Sequence, residues 1–253
     1  MPLFSIITVT YNAAGSLRRT LSIVSSQTFR DVEHIFIDGV STDGTLNILS
    51  DYRSRYGSDY AISVFSEPDN GLYDAMNKGL RRASGQYLVF LNAGDSLADN
   101  HTLAHLATLA GGQPAVIYGD TLWTDEEGIV IGSRNHSAPK RLDWKSFRYG
   151  MLVCHQAFYA RREIAQNVQY DTSYRFSADV DWCIRVMKEA SVRDMHLANA
   201  NEVIALYQRE GATTSHHRAS LLERFRIMCR HYGLTPTCLM HLWFGVRGIA
   251  RKL

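Results

Sequence analysis

The sequence predicts an open α/β fold with a mostly parallel central sheet, on two observations. Apolar runs of strand length alternate with helical patterns of about 10–15 residues across residues 3–110, as parallel strands with covered faces require. The composition is globular, with 45% hydrophobic and 21% charged residues in 253, which excludes wholesale disorder and gives enough apolar side chains for a sizeable core.

Phe4–Thr10 is an apolar, β-rich run and reads as the first strand. Ser16 is placed to cap a helix whose Leu17, Leu21 and Val24 fall at i, i+4 and i+7. Residues 33–38, with Ile35-Phe36-Ile37, form the second strand. Ser41 then starts a helix carrying Leu46, Leu49, Tyr52 and Tyr56. Residues 61–66 are a third strand, 72–83 a third helix and 86–92 a fourth strand. After residue 110 the pattern changes. Residues 116–123 and 128–134 flank a polar turn and read as a hairpin. Residues 153–160 read as a strand and 178–189 as a helix. Residues 220–232 read as a helix with Leu221, Phe225, Met228 and Tyr232 on its apolar face. Residues 239–253 place Leu239, Leu242, Trp243, Val246, Ile249 and Leu253 on one broad face. No repeat and no Pro/Ser-rich linker interrupts the chain, so one body with an elaborated second half is expected.

Several function classes drop out. No apolar run approaches the ~20 residues a spanning helix needs, and the N-terminus does not read as a signal peptide. The 4 cysteines show no CxxC spacing and read as reduced thiols of a cytoplasmic protein. No G-x-G-x-x-G follows a strand and no P-loop motif occurs, which disfavours dinucleotide oxidoreductases and P-loop enzymes. From Arg209 onward 8 Lys/Arg face 2 Asp/Glu, a net +6 on a body of −4. That basic end suits either an anionic surface or a solvated helix; nucleic acid is not expected as a partner.

In open α/β sheets ligands lie beyond the carboxyl ends of the strands. Asp38, at the second strand's tip, is expected to face that crevice and accept from a base N–H or a sugar hydroxyl. Asp43 falls in the first turn of the next helix and reads as a cap or a site acid. Asp95, just past the fourth strand, suits a hard cation. The segment 67–79 gathers polar groups at a helix start, where N–H groups and Lys78 suit a diphosphate.

Taken together, residues 5–12, Phe36-Ile37-Asp38-Gly39-Val40-Ser41-Thr42-Asp43-Gly44-Thr45, Glu67-Pro68-Asp69-Asn70-Gly71-Leu72-Tyr73-Asp74-Ala75-Met76-Asn77-Lys78-Gly79 and Leu91-Asn92-Ala93-Gly94-Asp95 resemble the family 2 glycosyltransferases of the GT-A fold. The branch found in bacterial exopolysaccharide clusters, such as that for colanic acid, is most similar. The likeness continues through Cys154-His155-Gln156-Ala157, Ser177-Ala178-Asp179-Val180-Asp181-Trp182 and Gly211-Ala212-Thr213-Thr214-Ser215. It implies a GT-A domain over 1–215, with a nucleotide-sugar half (1–110) and an acceptor and catalytic half (111–215), followed by a helical extension over 216–253.

The resemblance implies inverting transfer from a nucleoside diphosphate sugar, UDP first and GDP second, with Mn²⁺ or Mg²⁺. Thr10, Asn12 and Asp38 match nucleotide-sugar positions; Met76-Asn77 stands where the family carries Arg-Asn, which leaves Lys78 as the diphosphate contact, and Asn70 and Asn92 are further nucleotide-sugar candidates. Asp95 matches the last acid of the metal-binding D-x-D region, whose earlier acids are Asn92 and Gly94 here. Asp179 matches the aspartate of the catalytic Glu-Asp pair, with Ala178 in place of the glutamate, and is expected to be the general base. His155, Gln156, Asp181 and Asp120 are acceptor-side candidates, although Asp181 equally suits orienting Arg185. His216 or His217 is a candidate extra metal ligand or diphosphate cover. Trp123, Trp144 and Trp182 suit sugar stacking or core packing. The expected acceptor is a saccharide or a polyprenyl-diphosphate-linked saccharide, reached from the cytoplasm at an anionic membrane surface. The replaced acids keep a non-catalytic nucleotide-sugar binder in view, and a sugar-nucleotide pyrophosphorylase behind it.

Overall fold

The computed structural model describes residues 1–134, 137–208 and 217–250, with the backbone alone for 217 and 246–250. The first half alternates as expected: β1 (Phe4–Thr10), α1 (Leu17–Ser25), β2 (Val32–Asp38), α2 (Thr45–Tyr56), β3 (Ala61–Ser66), α3 (Leu72–Arg82) and β4 (Tyr87–Phe90). The strands β3-β2-β1-β4 are adjacent and parallel. Every residue of β1 is buried, because helices cover both faces of this part of the sheet. Gly79 lets α3 approach β1 closely: a Cβ there would meet Ile7 Cγ2 at 2.5 Å.

Two starts differ from expectation. The second helix begins at Thr45, not Ser41, because the intervening turn bonds to its own side chains (below). Ser16 precedes α1 but makes no side-chain cap.

The second half extends the same sheet in mixed directions. It contains β5 (Ser96–Leu97), α4 (Thr102–Ala110), β6 (Val116–Thr124), β7 (Val130–Ser133), β8 (Phe158–Arg161), α5 (Arg162–Ala165), α6 (Ala178–Val192), β9 (Leu197–Gln208), α7 (His217–Tyr232) and α8 (Leu234–Ala250). The order continues β4-β8-β6-β9-β5, with β7 paired to β6 as the expected antiparallel hairpin. The expected strand 153–160 is split: His155–Ala157 form a 3-10 turn, and only then does β8 begin. The chain from Phe158 onward pairs with β4 and β6, so the turn itself hangs over the end of β4.

Of the apolar face expected on α7, Met228 is buried and Phe225 and Tyr232 are half-buried, but Leu221 is not part of it. Leu221 and Leu222 are exposed at 46% and 62%, while Ser220, Ile227 and Met228 are buried. The helix meets the body through a face that begins with a serine. Behind the sheet, Tyr73, Tyr170 and Trp182 stack in series, with centroids 5.4 and 4.9 Å apart. Trp182 is therefore core, not a sugar platform, and Trp144 stacks on Tyr232 at 5.9 Å.

Candidate active site

The carboxyl ends of β1, β2 and β3 bring Thr10, Asp38 and Ser66 into one cross-strand row. Thr10 Oγ1 donates to Asp38 Oδ1 at 3.0 Å, and Ser66 Oγ to Oδ2 at 2.8 Å. The Ser41 backbone N–H donates to Oδ2 at 2.9 Å, and the Ser41 hydroxyl to Oδ1. Burial alone would raise the Asp38 pKa, but these four bonds outweigh it and hold the group below its ordinary range. Asp38 is fully buried. In this structure the Asp38 oxygens are occupied by these four donors from within the chain. Asp38 fixes the turn 39–43.

Asn12 braces the same turn. Its N–H donates to Ser41 Oγ at 2.9 Å and its Oδ1 accepts from the Thr42 N–H at 2.9 Å. It does so at φ 49°, a left-handed conformation that Asn tolerates. Asp43 caps from outside the helix: it accepts from the Thr45 N–H at 2.9 Å and from the Ala14 N–H at 3.1 Å.

The segment leading into α3 is similarly self-bonded. Lys78 Nζ donates to the Pro68 carbonyl and lies 3.6 Å from Glu67 and 3.9 Å from Asp74. In this structure it braces two acids. Asn70 is exposed at the helix entry, its N–H bonded to Asp74 at 3.0 Å. Asn77 bonds both ways to the Tyr170 backbone, at 2.7 and 3.0 Å, and so joins α3 to the second half.

The end of β4 differs in kind. Asn92-Ala93-Gly94-Asp95 makes a tight turn closed by the Asp95 N–H on the Asn92 carbonyl at 2.9 Å. Gly94 has φ +100°, a conformation that disfavours aspartate, which explains why an acid is absent there. The 3-10 turn at 155–157 reaches this point with two adjacent side chains. Asn92 Nδ2 donates to His155 Nε2 at 3.2 Å, which leaves Nδ1–H to donate to Asp179 Oδ2 at 3.3 Å. Gln156 Nε2 donates to Asp95 Oδ2 at 3.1 Å. Tyr73 donates to the other oxygen of Asp179, also at 3.3 Å. Thus one turn links Asn92 and Asp95 of the first half to Asp179 at the start of α6.

Two groups in this cluster carry the cost of burial. Burial pushes the Asp95 carboxyl up to about 6, against the pull of His155 and Gln156. Asn92 Oδ1 is buried with no hydrogen-bond partner. Asp179 is also mostly buried, yet the His155 hydrogen bond and the Arg224 charge outweigh desolvation and hold it below the ordinary carboxylate range. It is ionised near neutrality.

Two expected acceptor residues lie elsewhere. Asp181 is fully buried, and its oxygens are taken by Arg185 Nε at 2.6 Å and His231 Nε2 at 2.7 Å. It points from α6 to α7, because residues two apart on a helix face different sides. Asp120 lies inside β6, at a register shift opposite Val203, where Oδ1 accepts from the Ala138 N–H. The His217 side chain, His216 and the 211–215 loop lie outside the described residues. Sequence reasoning missed Glu223 and the bonding of Asn77 to the Tyr170 backbone. For Asn77 the signal was available: a polar residue within the buried face of an amphipathic helix must find a partner.

A parallel β3-β2-β1-β4 core, a turn acid past β4 and an ionised aspartate joined to that turn through His155 have the layout of a GT-A fold. The family model described as "Glycosyl transferase family 2" matches residues 5–169. A PGL/p-HBAD biosynthesis glycosyltransferase of Mycobacterium bovis is 33% identical over 219 residues, 85% of this chain and 80% of that protein. An uncharacterized glycosyltransferase of Haemophilus influenzae is 26% identical over 196 residues, covering 75% of each. Among solved structures, S. aureus TarS 1–349 superposes with a TM-score of 0.70 at 16% identity, covering 96% of this chain and 72% of that one. The mannosyltransferase PcManGT of Pyrobaculum calidifontis, in complex with GDP-Man and Mn²⁺, gives 0.66 at 18% identity, covering 95% and 68%. The chain belongs to glycosyltransferase family 2, and it is a glycosyltransferase with the GT-A fold.

Proposed function

We propose that this glycosyltransferase moves a sugar, with inversion, from a nucleoside diphosphate sugar to a saccharide or polyprenyl-diphosphate-linked acceptor of bacterial surface polysaccharide synthesis. UDP is the first candidate nucleotide and GDP the second; TarS has been solved with UDP-GlcNAc and PcManGT with GDP-Man. The observation that carries the reading is the Asn92–His155–Asp179 and Gln156–Asp95 linkage. It joins the candidate proton acceptor Asp179 to a turn that carries a buried carboxylate and one unpartnered amide oxygen.

In this reading the nucleotide lies over the turn 39–43 and Asn12, which Asp38 and Thr10 hold rigid, with Asn70 at the entrance to α3. Asp179 accepts the proton of the attacking acceptor hydroxyl. His155 orients Asp179 through its Nδ1–H and reaches the donor side through Asn92. Inversion follows from a single displacement with the base opposite the leaving diphosphate.

A divalent cation fits the residues present. Asp95 and the orphaned Asn92 Oδ1 are hard oxygen donors, and Mg²⁺ or Mn²⁺ commonly needs one or two protein oxygens, the rest being phosphate and water. Asp95 is the only carboxylate in the described part of this turn, so occupancy would depend on the donor diphosphate. When bound there, the ion would stabilise the charge developing on that diphosphate.

The C-terminal helices extend the proposal to an anionic membrane surface on the cytoplasmic side. On α8, Phe244 and His241 pack together and His241 meets Phe225 of α7, while Leu239, Leu242 and Trp243 are 65%, 70% and 45% exposed. Val246, Ile249, Arg247, Arg251 and Lys252 lie outside the described side chains. No helix among the described residues is long and apolar enough to cross a membrane, so contact would be interfacial. Truncation after Pro236 is expected to abolish sedimentation with anionic liposomes while leaving donor binding intact.

The central test is thermal stabilisation by UDP, GDP and their sugars with and without Mn²⁺, followed by donor hydrolysis. A ligand at a hundred times its Kd adds about 2.7 kcal/mol. Stabilisation with slow hydrolysis supports the enzyme; stabilisation without any turnover would favour a non-catalytic binder.

A further inference from the structure

The helix α7 lies beyond residues 5–169, yet one of its faces docks on the start of α6. Ser220, Glu223, Ile227 and His231 recur at i, i+3, i+7 and i+11, a single helical face. Ser220 Oγ lies 3.1 Å from Ser177 Oγ, and His231 bonds Asp181. Glu223 makes the least ordinary contact. Its Oε1 accepts from the Arg175 N–H at 2.8 Å, and its Oε2 from the N–H groups of Phe176 and Ser177 at 2.8 and 3.0 Å. These are the last three residues before α6, and Asp179 is the second residue within it.

This segment is not held by its own sequence. Ser177 occupies the N-cap position but makes no side-chain cap bond, its hydroxyl being turned to Ser220 instead. Consecutive N–H groups converging on one carboxylate form an anion-binding nest, here filled by a glutamate more than 40 residues downstream. Asp179, for its part, is held by two side-chain bonds of 3.3 Å each, from His155 and Tyr73. Both are at the weak end of the hydrogen-bond range. The backbone entering α6 must therefore set where the Asp179 carboxylate sits.

We propose that Glu223 is a positioning residue: by gripping the backbone N–H groups of 175–177 it fixes the start of α6 and aims Asp179 at the acceptor hydroxyl. Its neighbour Arg224 brings positive charge beside Asp179 from the same helix. The helical extension is thus a working part of the catalytic centre and not an appendage. This inference rests on Asp179 being the base of the proposed reaction.

The experiment is a double-mutant cycle on the full chain, reading hydrolysis of UDP-GlcNAc or GDP-mannose with Mn²⁺, whichever the wild type accepts, together with Kd for the nucleotide. Glu223→Gln keeps the size but replaces one acceptor oxygen with a donor that opposes an N–H. It is expected to lower kcat about 10- to 100-fold, as misplacement of a reacting group does, with donor KM and nucleotide Kd unchanged. In an Asp179→Asn background the same substitution is expected to cost nothing further in kcat. Amide exchange at residues 175–177 should quicken.

A Glu223→Gln enzyme of normal kcat overturns the proposal. So does a loss of equal size in both backgrounds, which marks Glu223 as structural only. If Glu223→Gln does not fold, Glu223→Asp, which withdraws the carboxylate by one methylene, is judged by the same cycle. A wild type that binds and hydrolyses no donor, or an Asp179→Asn variant with full turnover, overturns the functional reading itself and this inference with it.

Discussion

Two loop clusters at the carboxyl ends of the parallel strands are built from similar residues but differ in how completely they are bonded. Around Asp38 every acceptor is filled from within the chain: Thr10, Ser41 twice and Ser66. Around Asn92 and Asp95 one amide oxygen has no partner, and a buried carboxyl is raised to about 6. A filled network is a scaffold, since its groups have nothing left to offer a ligand. An unfilled one costs stability in the free protein and is where a ligand regains it. On the proposed reading the first cluster supplies rigidity and the second the chemistry.

The largest expected effect lies in the second cluster. Asp179→Asn removes the proton acceptor while keeping its size, and is expected to lower kcat by about 10²–10⁴ with nucleotide Kd unchanged. Asp181→Asn is the paired control: it disturbs the contact with Arg185 and His231, so it should lower Tm more than it lowers kcat. Steady-state kinetics and a melt on both variants separate the two roles. A dead Asp181 variant beside an active Asp179 variant would exchange them.

The first cluster should respond in the opposite currency. Asp38→Ala strands four donors at the sheet end, and the desolvation cost of unpaired buried groups predicts a loss of roughly 2–4 kcal/mol in unfolding free energy. Denaturant melts read this directly. If stability instead held while nucleotide affinity collapsed with and without metal, Asp38 would be a ligand contact and the contrast would fail.

A smaller effect is expected at Asp95. Asp95→Asn removes the buried charge but keeps the shape, so the fold should be unharmed. Mn²⁺-dependent nucleotide affinity should fall about 10- to 100-fold, while metal-free affinity stays level. Titration calorimetry with UDP and GDP, with and without Mn²⁺, checks it; an unchanged metal dependence would place the ion elsewhere.

How far each cluster could be read in advance follows from the same physics. The strands β1, β2 and β3 were legible because β-branched, apolar runs bounded by turn residues have few other fates. The start of α2 was not, since Asp38, Ser41 and Asp43 can bond the backbone of a turn as readily as they begin a helix. β9 was missed: Asn199, Asn201 and Glu202 interrupt its pattern at the point where its register with β6 shifts. Asp95, His155, Gln156 and Asp179 could each be picked out by residue type and by resemblance. Their connection could not, because His155 and Gln156 are more than 60 residues from the groups they bond at the end of β4. Glu223 carried no sequence signal, since a glutamate on a helix is ordinarily solvated. Leu221 was read into the α7 face by its spacing, where Ser220 and Ile227 are the residues that are buried.

The scaffold reading also predicts a specific acid sensitivity, centred on His34 in β2. The ring is fully buried, with Nε2 3.0 Å from Thr8 Oγ1 and Nδ1 3.3 Å from Tyr52 OH. Burial depresses its pKa from 6.5 to about 3, so the folded protein keeps it neutral while the unfolded chain protonates it. Between those values the unfolded state binds the extra proton, and stability must fall as pH drops below about 6.5. The single group contributes about 1.4 kcal/mol per pH unit over that interval and nothing above it. Asp95 has the opposite sign, because its folded pKa is raised, and offsets part of the slope between pH 6 and 4. Comparing wild type with His34→Gln isolates the histidine, since both proteins keep Asp95. The variant will be less stable at pH 7, but its loss of stability between pH 6.5 and 4.5 should be shallower by about that slope. Urea melts at half-unit pH steps provide the measurement. Parallel curves for the two proteins would mean that His34 is protonated within the fold, and that this part of the sheet is less sealed than the Asp38 network implies.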